Sequence, residues 1–302
     1  MPENEAKYNL SQLMVTAAAR EIADGEVVFV GMRLPLLGFL LAKSTHAPAA
    51  VGVYELGIVR DTAAPEPLMT MGDLPNLCRA QWLADTADAM GLLQQGGVDV
   101  SFIGGAQVDR FGNLNTSYIG GIETVETRLP GRGGACDLAC LAKRHIIVMS
   151  HEKRRFVPRV DYITSPGYGE GGSWRQQVGL PRGGPATVIT TLGLLHFEPD
   201  TKEMILVSVH PGVTVDAVLE NTGWPLKIAQ DLMSTPAPTE KELAILGAKW
   251  RQPAERAAGI IVWRLLPERQ SVEGQVKRLV AQLVDRRQGG LELLARHRAE
   301  RL

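Results

Sequence analysis

The chain has 302 residues, 45% hydrophobic and 22% charged, the balance of a globular protein that can bury a core without disulfides or structural metal. Its 32 Lys+Arg and 33 Asp+Glu give a formal net charge of -1, which argues against wholesale nucleic-acid binding, since that needs a basic footprint. The neutrality covers an asymmetry: residues 251–302 hold 11 Lys/Arg and 6 Asp/Glu, a surplus of five, which leaves the first 250 residues acidic.

Leu10, Leu13, Met14, Ala17, Ala18 and Ile22 fall on one helical face ahead of Gly25, predicting a helix over 10–23. EVVFVG (26–31) is a short apolar, β-branched run ending in glycine and reads as a buried strand. RLPLLGFLLAKS (33–44) reads as a second helix and AAVGVYELG (49–57) as the next strand. Strand, helix, strand in this order is a βα unit and predicts an α/β fold with an open, mostly parallel sheet and flanking helices. Residues 71–97 read as one helix, VDVSFIGG (98–105) as a strand, CDLACLAKR (136–144) as a helix and HIIVMS (145–150) as a strand. PATVITTLG (185–193), LLHFEP (194–199) and KEMILVSVHP (202–211) read as antiparallel strands, with a hairpin around Asp200 and Thr201. Thr214 caps a short helix ending near Gly223, and Thr239 with Glu242 forms a capping box for another. STPAPTE (234–240), with two prolines among small polar residues, is the linker candidate, and an amphipathic helix is expected near 272–287.

The start, MPENEAKYN, has no basic segment followed by an apolar run. The longest apolar run, 34–42, is too short for a bilayer and is broken by Pro35 and Gly38. Cys78, Cys136 and Cys140 leave an odd thiol under any pairing, which points to a reducing compartment. A cytoplasmic protein is the expectation.

In an open α/β sheet, ligands bind beyond the carboxyl ends of the strands. Four segments hold that position: Gly31-Met32-Arg33, Tyr54-Glu55-Leu56-Gly57, Gly104-Gly105-Ala106-Gln107 and His151-Glu152-Lys153. A carboxylate at Glu55, next to Gly57, suits nucleophilic attack on a carbonyl; it also suits a loop glutamate in water. GRGGA (131–135) can offer backbone N–H groups to an oxyanion or form a tight turn, and it matches neither a Walker A nor a dinucleotide fingerprint. In AQVDRFGNLN (106–115), Asn113 or Asn115 can donate to a substrate carbonyl or close an Asx-type turn. HEKRRF (151–156) presents three cations that suit phosphates or a solvated loop. Cys136 and Cys140, at i and i+4, complete no zinc site, and His145, His151 and His210 follow no catalytic or metal motif; no metal is predicted.

Taken together, VGMRLPLLG (30–38), YELG (54–57), MGDL (71–74), FIGGAQVDRFGNLN (102–115) and GRGGACDLA (131–139) resemble the β subunits of class I CoA-transferases, most closely the glutaconate CoA-transferases. HEKRRF, VDYITSPG (160–167), GLPRGGP (179–185) and LENTGW (219–224) continue the resemblance in order, from about residue 8 to 235. It implies a CoA-transferase β-subunit-like domain over 1–235 and a mostly helical C-terminal extension over 236–302. It implies further that Glu55 attacks the CoA thioester, passing through a glutamyl anhydride and a glutamyl-CoA thioester. GRGGA corresponds to the family's oxyanion segment, with Gly134 and Ala135 as backbone donors and Asn113 or Asn115 as the amide. Arg33, Gly57, Gln107, Gly133 and Lys153 are the expected substrate- and CoA-binding residues. Coenzyme A is expected as substrate and covalent intermediate, with no permanently bound cofactor. The expected partners are a separate CoA-transferase α subunit in a hetero-oligomer, an acyl-CoA and a carboxylic acid, and neither nucleic acid nor a membrane. Leu56 is bulkier than the residue relatives place after the glutamate. Two other readings stand beside this one: a CoA-thioester or ring-cleaving hydrolase on the same scaffold, and a non-catalytic ligand-binding subunit.

Overall fold

The structure, a computed structural model, describes residues 8–249 apart from 66, 67, 69 and 181. Helix α1 (Leu10–Arg20) starts at a capping box in which Asn9 and Gln12 each accept the other's backbone N–H at 2.9 Å. Strand β1 (Val27–Val30), helix α2 (Leu34–Ser44) and strand β2 (Val51–Tyr54) complete the predicted βα unit. After them come β3 (Ile58–Arg60), α3 (Leu74–Leu77), β4 (Trp82–Leu83), α4 (Thr86–Gln94) and β5 (Val100–Ile103). Two short ribbons follow, β6 (Gln107–Val108) with β7 (Leu114–Asn115) and β8 (Tyr118–Gly120) with β9 (Val125–Arg128). Then α5 (Ala135–Leu141), β10 (Arg144–Met149), α6 (Trp174–Gln177) and β11 (Gly184–Thr190) lead to β12 (Gly193–Phe197) and β13 (Met204–Val209). The described chain closes with α7 (Val215–Glu220), β14 (Lys227–Ser234) and α8 (Glu240–Lys249).

One open sheet runs in the order β14-β13-β12-β11-β10-β5-β1-β2-β3-β4. Its centre, β11-β10-β5-β1-β2, is parallel throughout. Antiparallel pairs extend it on both sides, and β14 lies parallel to β13. Alternation along the strands divides the core. Val28, Val30 and Tyr54 pack with Phe39 and Leu41 on the α1–α2 face, whereas Phe29 and Val53 pack with Ala89, Leu93 and Leu138 on the α4–α5 face. Because β10, β5, β1 and β2 are parallel neighbours, the four strand-end segments containing Arg33, Glu55, Gln107 and Lys153 line one edge of the sheet.

Two local expectations are corrected. Residues 71–97 do not form one helix: the chain leaves α3 after Leu77, passes through Arg79 in the left-handed region (φ 58°), and pairs Trp82 and Leu83 with Val59 and Ile58. A new capping box at Asp85 and Asp88 then starts α4. STPAPTE is not a free linker, because the Thr235 N–H donates to the Val209 carbonyl (2.8 Å) and Arg20 holds the carbonyls of Pro236 (2.7 Å) and Ala237 (3.1 Å). The Thr239–Glu242 box starts α8, which packs on α1 and α2 with Leu246 buried. The amphipathic segment near 272–287 and the basic surplus of 251–302 lie outside the described residues.

On β14 the register passes from Leu206↔Ile228 to Ser208↔Met233, so that residues 229–232 stand opposite one residue of β13. No helix among the described residues is long and apolar enough to cross a membrane.

Candidate active site

Strand β2 ends on the buried Tyr54, and a tight turn follows at once. The Gly57 N–H donates to the Tyr54 carbonyl (2.8 Å), which leaves Glu55 and Leu56 at the tip. Gly57 has φ +89°, and a Cβ there would lie 2.5 Å from the Ala84 carbonyl, so this position requires glycine on both counts. The Ala84 N–H in turn donates to the Gly57 carbonyl (2.9 Å), fixing the turn to the chain entering α4. Glu55 is half-buried and Leu56 is 51% exposed. The Glu55 carboxylate takes no hydrogen bond and no ion pair from any described residue, which leaves its lone pairs available. Burial pushes the neighbouring Tyr54 phenol well above its ordinary range, so that this hydroxyl stays neutral.

The GRGGA segment comes to the same place. A Cβ on Gly134 would lie 3.2 Å from Glu55 Oε1 and 2.5 Å from the Met90 methyl carbon Cε. Three separate pieces of chain therefore converge: the turn after β2, helix α4, and the residue that precedes α5. Gly131 (φ +95°) and Gly133 (φ +51°) carry the backbone into this approach. The Ala135 N–H is engaged by the Arg132 carbonyl at 2.9 Å, whereas the Gly134 N–H has no acceptor among the described residues. Of the two expected backbone donors, Gly134 is the one that is free.

The sequence model of the coenzyme A transferase family matches residues 12–221, a span that contains Glu55, Met90 and Gly134. The chain belongs to the coenzyme A transferase family. It is 43% identical over 242 residues to the B-type subunit of 3-oxoadipate CoA-transferase from Pseudomonas knackmussii, covering 80% of this chain and 93% of that protein. It is 36% identical over 229 residues to the B-type subunit of glutaconate CoA-transferase from Acidaminococcus fermentans, covering 74% and 85%. The crystal structure of glutaconate coenzyme A-transferase from that organism superposes with a TM-score of 0.76 at 33% identity, over 83% of this chain and 97% of the matched chain. Over 151 residues, 48% of this chain and 56% of the relative, it is also 28% identical to the cholesterol ring-cleaving hydrolase IpdB subunit of Rhodococcus jostii. Both the fold and the family expected from the sequence are observed, and the chain is a CoA-transferase of the β-subunit type.

The remaining expected residues of this CoA-transferase chain occupy different settings. Asn113 is buried, and its amide hydrogens go to Asp109 (2.9 Å) and the Gly169 carbonyl (2.8 Å), while its oxygen accepts from Gly167 and Gly169. Asp109, whose carboxyl is raised by burial, also accepts the N–H groups of Phe111 and Asn113, so the Asx-type turn is formed. Asn115 is equally buried and donates to Gln107 Oε1 and to the Tyr118 carbonyl, both at 2.7 Å. In this arrangement neither asparagine has an amide hydrogen left for a ligand. Gln107 is buried and held by Asp161 on both its oxygen and its nitrogen. Arg33, Gly133 and Lys153 are exposed. Glu152 pairs with Arg154 (2.6 Å) and Arg155 (3.1 Å), so Lys153 is the one cation of HEKRRF that carries no ion pair among the described residues. Among those residues no group of three or more His, Cys, Asp or Glu could hold a metal ion.

His151 sits between the hydroxyls of Thr190 (3.1 Å) and Thr222 (3.0 Å) and stacks on Phe156, and His210 contacts Thr235 and the Thr190 carbonyl. Both are structural. Met90 carries no signal of function in the sequence, where it is one more apolar residue of a long helix; only the approach of α4 to Gly134 brings it to the carboxylate.

Proposed function

We propose that Glu55 is the nucleophile of this CoA-transferase and that the chain works with a separate α subunit that completes the site. The observation carrying this reading is the approach of Glu55 Oε1 to within 3.2 Å of where a Gly134 Cβ would sit, which brings together a carboxylate with no partner and a residue whose N–H has no acceptor among the described residues. The carboxylate attacks the thioester carbon of an acyl-CoA, the carbon–sulfur bond breaks, and CoA leaves as thiolate from a mixed anhydride. The thiolate then attacks the Glu55 carbonyl carbon, releasing the acyl group as its carboxylate and leaving a glutamyl-CoA thioester. An acceptor carboxylate reverses both steps, so that Glu55 is regenerated with no net proton change. Each attack raises negative charge on a carbonyl oxygen, and the Gly134 N–H is the donor we assign to it. Arg33 and Lys153, exposed on the same strand-end edge, are the groups we assign to the CoA phosphates. Cys78, Cys136 and Cys140 are free thiols, which suits a reducing, cytoplasmic setting.

The test uses the assembled α–β enzyme with succinyl-CoA as donor and 3-oxoadipate as acceptor. Borohydride added after the donor is expected to reduce a thioester at Glu55 and inactivate the enzyme. Glu55→Gln and Glu55→Ala are expected to lower kcat at least about 1000-fold, since no other carboxylate takes the covalent role. Full activity in Glu55→Ala removes the proposal. The similarity to a ring-cleaving hydrolase subunit supports a second reading, hydrolysis on the same scaffold. CoA release that proceeds equally fast without an acceptor acid favours that reading, and strict acceptor dependence removes it.

A further inference from the structure

We infer that Met90 is the positioning residue that keeps water away from the acyl-Glu55 intermediate and so makes the site a transferase. This rests on the reading of Glu55 as nucleophile. The methyl carbon of Met90 and Glu55 Oε1 both approach the point where a Gly134 Cβ would sit, at 2.5 and 3.2 Å. They therefore lie no farther apart than those two distances combined, with the Gly134 backbone beneath them. Met90 is half-buried and packs against the core on the α4–α5 face, so its side chain is backed by apolar groups. The neighbouring Leu56 at the tip of the turn is half-exposed and runs past Gly72, its Cδ1 lying 3.1 Å from where a Gly72 Cβ would sit. The Met90 methyl carbon fills the Gly134 side of Glu55 Oε1, where it would bar water from an acyl group bonded there. A thioether neither orients nor activates water, and its flexible chain can yield to a passing acyl group.

Two reactions compete for the anhydride. In transfer, the CoA thiolate bonds to the Glu55 carbonyl carbon and the acyl carboxylate leaves with the electron pair of the broken carbon–oxygen bond. In hydrolysis, a water oxygen bonds to the acyl carbon, the bond from that carbon to the Glu55 oxygen breaks, and Glu55 recovers its carboxylate. The acyl group leaves as its free carboxylate, and both water protons pass to solvent. Filling the Gly134 side with a methyl group slows the second reaction and leaves the first open.

The experiment measures both rates in the assembled enzyme with succinyl-CoA: thiol release without acceptor, and formation of 3-oxoadipyl-CoA with 3-oxoadipate present. Met90→Gln keeps the length and adds hydrogen-bonding groups, Met90→Ala opens the space, and Met90→Leu keeps it apolar. The ratio of hydrolysis to transfer is expected to rise about tenfold or more in Met90→Gln and Met90→Ala and to stay within about twofold of wild type in Met90→Leu. A merely structural role lowers both rates together and leaves the ratio alone. An unchanged ratio in Met90→Gln, with transfer still measurable, overturns the inference, and Met90→Gln decides the matter if Met90→Ala does not assemble. The two readings fail separately. Activity in Glu55→Gln removes the nucleophile, while loss of activity there with an unchanged ratio at Met90 removes only the role given to Met90.

Discussion

Gly57 and Gly134 flank the same carboxylate, and their substitution by alanine is expected to do different things. At Gly57 the backbone is left-handed and a Cβ meets main-chain atoms of Ala84 at 2.5 Å, which cannot swing away. Gly57→Ala is expected to cost about 3 kcal/mol or more of stability, read from urea unfolding, because turn and α4 entry must separate. At Gly134 the backbone has φ -82°, ordinary for alanine, and the atoms in the way are the end of Met90 and the Glu55 carboxylate. Gly134→Ala should therefore unfold within about 1 kcal/mol of wild type and lose at least about tenfold in kcat, by displacing the end of Met90 and crowding the carboxylate. The glutamate and the glycine segment are legible as residue types at a strand end and before a helix. Their contact is not, because it depends on how β2 and α5 are brought together.

At the scale of elements, the stretch between β3 and α4 shows where local pattern fails and why. Apolar residues at helical spacing invite a single helix over 71–97, but Pro75 lies inside it and β4 finds backbone partners on β3. Pairing with a strand formed much earlier overrides local propensity, and no window of neighbouring residues contains that information. The segment is held by Arg60, fully buried at the end of β3, whose guanidinium donates to the carbonyls of Thr62 (3.2 Å), Ala63 (3.1 Å), Asn76 (2.6 Å) and Cys78 (2.7 Å). One side chain thus supplies what a strand or helix would, hydrogen-bond partners for backbone that would otherwise be buried without them. Arg60→Met leaves several carbonyls unpaired and is expected to destabilise by about 3 kcal/mol or more, with protease cleavage appearing first between residues 61 and 80. Arg60→Lys, with three donors in place of five, should fall between the two. The reverse error occurs at 234–240, where two prolines suggest a linker yet Arg20 and β13 hold the backbone in place.

At the scale of the molecule, the parallel centre of the sheet was readable from the order of apolar runs and helices, and with it the edge on which the site lies. The antiparallel margins were only partly so, since a short strand such as β4 has little pattern of its own. Two buried histidines contribute to the response of the whole to acid. Burial lowers His145 to about 3, with Arg175 adding to the effect, and lowers His151 to about 4. Unfolded histidines take up a proton near about pH 6.5. Below that pH the unfolded chain binds protons that the folded chain refuses, so stability falls with pH until the folded values are passed. The expected slope is about 1 kcal/mol per pH unit for each histidine, seen as a declining urea midpoint between pH 6.5 and about 4. His151→Gln should make that slope shallower.

Both margins of the sheet are also poor templates for growth. On one side β4 has two residues, too few to recruit a neighbour, and on the other β14 interrupts its own ladder with the four residues 229–232. An incoming strand that matches the start of β14 is out of step by its end. Fibril-like stacking through the sheet is thereby blocked at each side, even though Ile228 and Met233 lie in the open there. Among the described residues, the strand-end edge and the helical faces are left for association, and the strand-end edge is where a second subunit can reach Glu55.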